Sequence, residues 1–275
     1  MKAKKAIYAT KHRERVRIFM HMRTKKWAKP ELAVCPYYID EPEKLRGHWR
    51  ERFSSGRPLY LELGCGKGVS TAAMVHDNRG VDFIAVDITC NVLGDARRNI
   101  ARTYGEEPVD NVLLARYDIS FIERMLARED RVERIYINFC NPWTKRPKYA
   151  KRRLTHPRQL MQYREFLVDG GEIWFKTDDT ALFTDSLPYF DACGFELRYL
   201  TSDLHAAGFT PNYVSEHEQK FMGLGVPIKL AIVRKKPGPV EIDPVRFVMP
   251  GAFAKLRREA EGEMQDDERG EACLL

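Results

Sequence analysis

Leu59-Tyr60-Leu61-Glu62-Leu63-Gly64-Cys65-Gly66-Lys67-Gly68 is the stretch that decides the fold. A short apolar run stops at a turn with three glycines at alternate positions, and a helical pattern (Gly68–His76) follows. A strand that enters a glycine-rich turn and leaves as a helix opens a βαβ unit. Glycine suits that turn because the backbone can then approach a ligand that would collide with a Cβ. Further strand-like runs lie at Phe83–Asp87, Val112–Ala115, Arg134–Phe139, Glu172–Lys176, Glu196–Leu200 and Lys229–Val233. Helical patterns occupy Asn91–Tyr104, Phe121–Ala127, His156–Leu167 and Thr180–Cys193, with Thr155 and Pro157 fitting a capped helix start. This alternation predicts an α/β domain with a seven-stranded, mostly parallel sheet and helices on both faces. The last two strands follow one another without a long helix, which predicts one antiparallel edge strand.

The turn also bears on the ligand. Dinucleotide enzymes place glycine-rich turns here too, followed by an acid such as Asp87 at the end of the next strand. Two details count against a pyrophosphate. The spacing is G-x-G-x-G, and Glu62 inside the strand would repel a phosphate. A cofactor with a sulfonium and an ammonium would instead welcome Glu62 and need no phosphate cradle. Glu62, Gly64, Gly66 and Asp87 in this pattern resemble the Rossmann-like class I S-adenosylmethionine-dependent methyltransferases. The resemblance implies S-adenosylmethionine as cofactor and places Asp118 at its adenine. Asp118 also fits an N-cap for a helix starting near Ser120, and both roles stay open.

At 275 residues, the chain suits one large domain with appendages: a basic arm over 1–30, the catalytic domain over 31–236 and an extension over 237–275. The arm holds eleven Lys or Arg, among them Lys2, Lys4 and Lys5, against Glu14 alone, within an overall charge of +7. The end is acidic (Glu259, Glu261, Glu263, Asp266, Asp267, Glu268, Glu271) and reads as a solvating tail. Such asymmetry reports on partners, and a basic arm favours a phosphate backbone. No run suits a membrane span and no signal segment opens the chain, so a cytoplasmic location is expected. The six cysteines (Cys35, Cys65, Cys90, Cys140, Cys193, Cys273) lack metal-ligand spacing and read as small buried hydrophobes, with no metal expected.

A second informative stretch is Arg134–Arg153, where a strand breaks at Asn141-Pro142-Trp143 into Lys145, Arg146, Lys148, Lys151, Arg152 and Arg153. An amide, a proline and an aromatic at a strand's carboxyl end, followed by dense positive charge, point to a base on a polyanion. The alternative is a solvated loop with Trp143 as a core plug. Taken with Lys151-Arg152-Arg153-Leu154-Thr155-His156, Phe175-Lys176-Thr177-Asp178, Thr201–Gly208 and Ser215-Glu216-His217-Glu218-Gln219-Lys220-Phe221, the order resembles the bacterial tRNA (guanine-N7-)-methyltransferases. Met20–Ala28 resembles that family's opening, so the likeness runs from about Met20 to Lys235. It implies tRNA as partner, with methylation of a variable-loop guanosine at N7, by a monomer or homodimer. Cofactor contacts are implied at Glu62, Asp87, Asp118 and Asn141, and substrate contacts at Lys145, Asp178 and Ser215–Glu218. Asp178, Glu218 and Asn141 are the implied catalytic set, and Arg146, Lys148, Lys151, Arg152 and Arg153 the phosphate contacts. The chain departs from the family pattern at Asn141, where Asp is usual, and at Thr144, where Pro is frequent. Tyr149 stands nearest a usual His, and Ser215 stands for a usual Thr. Two other readings stay open here, an exocyclic-amine methyltransferase using Asn141-Pro142-Trp143 and a catalytically silent RNA-binding relative.

Overall fold

In the computed structural model, which describes residues 24–53, 56–144 and 147–242, the run at Leu59–Leu63 becomes a central strand. In chain order the strands are β1 (Tyr38–Ile39), β2 (Leu59–Leu63), β3 (Asp82–Asp87), β4 (Val112–Arg116), β5 (Val132–Asn138), β6 (Leu167–Thr177), β7 (Phe195–Thr201) and β8 (Lys229–Lys235). The helices are α1 (Ala28–Ala33), α2 (Val69–Asp77), α3 (Cys90–Tyr104), α4 (Pro157–Phe166), α5 (Thr180–Ala192) and α6 (Glu216–Gly223). The sheet order is β1-β4-β3-β2-β5-β6-β8-β7, all parallel except β8. Connections therefore reverse direction between β2 and β5, and a crevice opens where the carboxyl ends of those strands part.

The α/β class holds, and the sheet differs from expectation in two details. It has eight strands, because the two-residue β1 is too short to carry a strand pattern. The antiparallel strand lies one place in from the edge. Burial explains its position: Leu230, Ala231, Ile232 and Val233 are all buried, so β8 needs cover on both faces. Strand β7 leaves Leu197 and Leu200 exposed and takes the edge.

Side-chain alternation assigns the layers. Glu62, Tyr136 and Trp174 lie in register on one face, where Glu62 meets Thr71 of α2. Phe175 points the other way and packs on Phe183 and Phe190 of α5. The expected helix at 121–127 is a 3₁₀ turn over Ile119–Arg124, capped by Asp118, whose Oδ1 accepts from the Ser120 amide at 2.9 Å. The cap of α4 is His156 rather than Thr155. Its Nδ1 accepts from the Arg158 amide at 3.1 Å, and burial pushes its pKa down to about 4, which keeps that lone pair free. Thr155 is buried and bonds to Ser186 at 2.6 Å.

Both ends of the described chain are fastened to this core. Lys25 pairs with Asp95, and the Arg98 guanidinium lies 3.4 Å from the Trp27 ring centre, so α1 docks on α3 and residue 30 falls inside a packed helix. Beyond β8, the buried Arg164 donates to the carbonyls of Cys193, Gly194, Lys236 and Gly238. Residues 1–23 and 243–275, with Lys2, Lys4, Lys5, Cys273 and the acidic end, lie outside the described residues. Among the described residues, no helix is long and apolar enough to cross a membrane.

The α1–α3 contact depends on Gly94, where an added Cβ would stand 2.8 Å from the Ala28 Cβ and 3.0 Å from the Trp27 ring. Alanine is normally favoured over glycine inside a helix by about 1 kcal/mol. Gly94→Ala should nonetheless lower stability by about 1–3 kcal/mol, the usual range for overpacking. Thermal unfolding checks the sign, and an unchanged or raised midpoint would show that α1 gives way freely.

Candidate active site

Glu62 sits in β2 at the strand-order reversal and is almost fully buried. Its Oε2 accepts from the Thr71 hydroxyl at 2.6 Å, and its Oε1 accepts from the Asn138 amide of β5 at 3.2 Å. Burial pushes its pKa up, opposed by those two hydrogen bonds. The carboxylate is thus oriented but not ion-paired.

The three glycines that follow divide the work. Gly64 (φ 86°) and Gly66 (φ 55°) adopt left-handed conformations, and a Cβ on either would meet nothing within 4 Å, because it would project into open cleft. Gly68 (φ 66°) is different: a Cβ there would lie 2.7 Å from the Ala96 Cβ, so this glycine lets α2 approach α3. The amides of Gly64 and Cys65 donate to the Val86 carbonyl, that of Gly66 to Asp87, and that of Gly68 to the Cys65 carbonyl. Loop amides spent inside the protein leave little of the anion cradle a pyrophosphate requires. Asp87 accepts from the amides of Gly66 and Thr89 at 3.0 and 3.1 Å; burial raises its pKa and these donors lower it. A cleft of about 590 Å³ runs from Glu62 and the glycine loop past Asn138 and Phe139 to Ser215 and His217.

The end of β5 is sharply turned. Phe139 (φ 52°) and Trp143 (φ 49°) both adopt left-handed backbone, a costly conformation for residues with a Cβ. Asn141 is exposed, and its Oδ1 accepts from the Trp143 amide at 3.1 Å. Asn138, not Asn141, stands beside Glu62. Sequence reading missed it, although its place two residues after Tyr136 on the Glu62 face was a usable signal. Arg153 also departs from expectation as a phosphate contact. It is buried, and its guanidinium donates to the Pro142 carbonyl at 2.8 Å and to Asp185 at 2.7 Å. It braces the Asn-Pro-Trp turn from within. Lys148, Lys151 and Arg152 are exposed, and Arg152 lies 5.1 Å from the ring centres of both Trp143 and Tyr149. Lys145 and Arg146 lie outside the described residues.

Asp178 follows β6 directly. The cap of α5 is its neighbour Asp179, whose Oδ1 accepts from the Leu182 amide at 2.8 Å, so the Asp178 carboxylate is left for other contacts. Its partner is the His217 Nε2, 3.2 Å away. That ring is held between Phe139 and Phe221, at centroid distances of 4.9 and 4.6 Å. Ser215 caps α6 by accepting from the Glu218 amide at 3.1 Å. Glu218, expected among the substrate contacts, is fully buried. Its oxygens are taken by Lys176 (2.6 Å), Asn212 (2.8 Å) and His205 (3.1 Å). It ties α6 and the 205–212 segment to β6. Asp118 is exposed at the end of β4 and engaged in its capping bond.

Comparison with known proteins gives this arrangement a family. A family model described as "Putative methyltransferase" matches residues 56–231. A tRNA (guanine-N(7)-)-methyltransferase of Clostridium perfringens is 50% identical over 219 residues, covering 78% of this chain and 100% of its own. One from Ruminiclostridium cellulolyticum is 48% identical over 220 residues, covering 79% and 93% respectively. The chain belongs to the tRNA (guanine-N(7)-)-methyltransferase family. Among solved structures, the 16S rRNA methyltransferase KamB superposes with a TM-score of 0.51 at 10% identity, over 69% of this chain and 93% of that one, a likeness of fold.

Methyltransferases of this family imply S-adenosylmethionine, and the residues present fit it. Open space above Gly64 and Gly66 admits a ligand, Glu62 offers an unpaired carboxylate to a cation, and the spent loop amides suit a cofactor without phosphate.

The buried Lys176–Glu218 pair yields a stability prediction. Removing one partner strands a charge, which typically costs 3–5 kcal/mol, whereas removing both often costs far less. Lys176→Met and Glu218→Leu should each shift the urea midpoint strongly, and the double variant should lie above the sum of the two. Simple additivity would show that the pair is not coupled.

Proposed function

We propose that this chain transfers the methyl group of S-adenosylmethionine to N7 of a guanine in tRNA, the variable-loop guanosine being its target. The observation that carries this reading is identity of 50% over the whole length of a tRNA (guanine-N(7)-)-methyltransferase. The geometry supports a role for several of the expected residues.

S-adenosylmethionine, when bound, supplies a methyl group on a positively charged sulfur. Glu62 receives the donor's cationic end, with Thr71 and Asn138 holding the carboxylate in one orientation. Asp87, at the carboxyl end of β3, accepts from ribose hydroxyls, and Asp118, at the end of β4, borders the adenine. Guanine N7 carries an in-plane lone pair with no proton to lose, so the site needs no general base. Its task is alignment, which can supply several kcal/mol. The methylated purine is cationic, and the Asp178 carboxylate, steadied by His217, faces that developing charge. Lys148, Lys151 and Arg152 meet phosphates, which set register without reading sequence. Lys145 and Arg146, a few positions earlier in the sequence, add to the same positive run.

An exocyclic amine fits less well. Its proton must leave, and the Asn141 Oδ1 that would accept from the amine already accepts from the Trp143 amide. Methyl transfer to bulk tRNA followed by nucleoside mass spectrometry tests the reading. N7-methylguanosine is expected, and methylated adenosine or cytidine in its absence would sink it.

Two further outcomes follow from named groups. Asp178→Ala should reduce turnover at least tenfold while changing tRNA affinity little, and equal losses in both would remove its assigned role. Burial raises the pKa of Glu62 in the free protein, and a bound ammonium lowers it again. Affinity for the donor's product should therefore fall as pH drops from neutral into the acid range, with proton release on binding. Asp87, also raised, contributes in the same direction. Calorimetry on the wild type and Glu62→Gln should show a flatter profile for the variant.

A further inference from the structure

The donor has an amino-acid end that carries a carboxylate as well as an ammonium. Glu62 accounts for the ammonium, and nothing above accounts for the carboxylate. Among the described residues lining the cleft, Lys67 is the one Lys or Arg. Four amides of its loop, those of Gly64, Cys65, Gly66 and Gly68, are spent within the protein, which leaves the first amides of α2 as the backbone alternative. Lys176, in the adjoining cavity, is committed to Glu218, Asn212 and the Tyr213 carbonyl. Lys67 itself reaches across the cleft to Glu216, the first residue of α6, with Nζ 2.8 Å from Oε2. Both side chains are roughly half exposed, at 41% and 53%, so their pairing is worth little in water and is readily exchanged.

We propose that Lys67 receives the carboxylate of the donor's amino-acid end, and that Glu216 occupies this position until the donor displaces it. The proposal rests on the S-adenosylmethionine reading and adds a residue to it. Glu62 and Lys67 then form a matched pair for a zwitterion, one carboxylate for the ammonium and one ammonium for the carboxylate. The exchange also has a consequence at the substrate side. Glu216 begins the helix that carries His217 against Asp178 and Glu218 against Lys176, so release of Glu216 acts on the element that orients the substrate carboxylate. The donor is the ligand that prepares the guanine side.

Calorimetry with two ligands tests the assignment. S-adenosylhomocysteine carries both charges, and its decarboxylated form, the adenosyl thiopropylamine, keeps only the ammonium. Lys67→Met should weaken S-adenosylhomocysteine about three- to tenfold, the range for losing a partly exposed charged hydrogen bond. The same variant should leave the decarboxylated amine within about twofold. Glu216→Gln should tighten S-adenosylhomocysteine severalfold, and this gain should vanish in the Lys67→Met background. Unchanged S-adenosylhomocysteine affinity in Lys67→Met, as when the carboxylate rests on the first amides of α2, overturns the proposal. So does equal weakening of both ligands, or a loss of affinity in Glu216→Gln. Retained binding of the amine shows that Lys67→Met is folded. Failure of wild-type protein to bind either ligand would instead defeat the donor reading, and this assignment with it.

Discussion

A carboxylate withdrawn from water must be satisfied by its neighbours, and Glu62 imposes that demand on the centre of the sheet. Thr71 answers from α2 and Asn138 from β5, so one side chain registers that helix and the two strands that flank the reversal. Neither hydrogen-bond partner is a cation, and the charge of Lys176 acts on Glu62 without an ion pair, so a ligand's cation can still add to the balance. Desolvation raises the pKa of Glu62, and on the proposed reading that cost is offset when the donor's ammonium arrives. The glycine turn, the position of Asp87 and the width of the cleft are arranged around that residue.

Glu218 shows the opposite solution to the same problem. It too is buried, yet it is compensated by Lys176 and satisfied by Asn212 and His205, so nothing is left for a ligand. One buried acid waits and the other locks. The locked pair fixes α6, and α6 presents Glu216 to the glycine loop and His217 to Asp178. The donor side and the substrate side thus share a short helix anchored at a single buried charge pair.

The parts of this arrangement that were readable in advance are those with local signatures. Glycine spacing, a strand ending in Asp87 and the βα alternation each arise within a few residues, and they announced the sheet class and the glycine turn beside the cleft. What escaped notice depended on contacts between distant segments. Nothing near Glu218 announces that Lys176, forty-two residues earlier, lies within 2.6 Å of it. Asn138 and Asn141 are chemically alike, and only the β5 register against β2 decides which one meets Glu62. The place of β8 inside the sheet depended on burial of both its faces, a property legible in its unbroken apolar run but not in its order along the chain.

Arg153 carries a consequence for association. Positive residues raise affinity for a polyanion largely by releasing the counterions condensed on it, and each contact made contributes to the salt dependence. A guanidinium enclosed in protein and neutralised by Asp185 releases none. Its contribution is to the shape of the turn that displays Trp143, Tyr149 and Arg152, so the basic loop is a less steep sensor of ionic strength than its composition suggests. The charge that looks like part of the adhesive belongs to the frame.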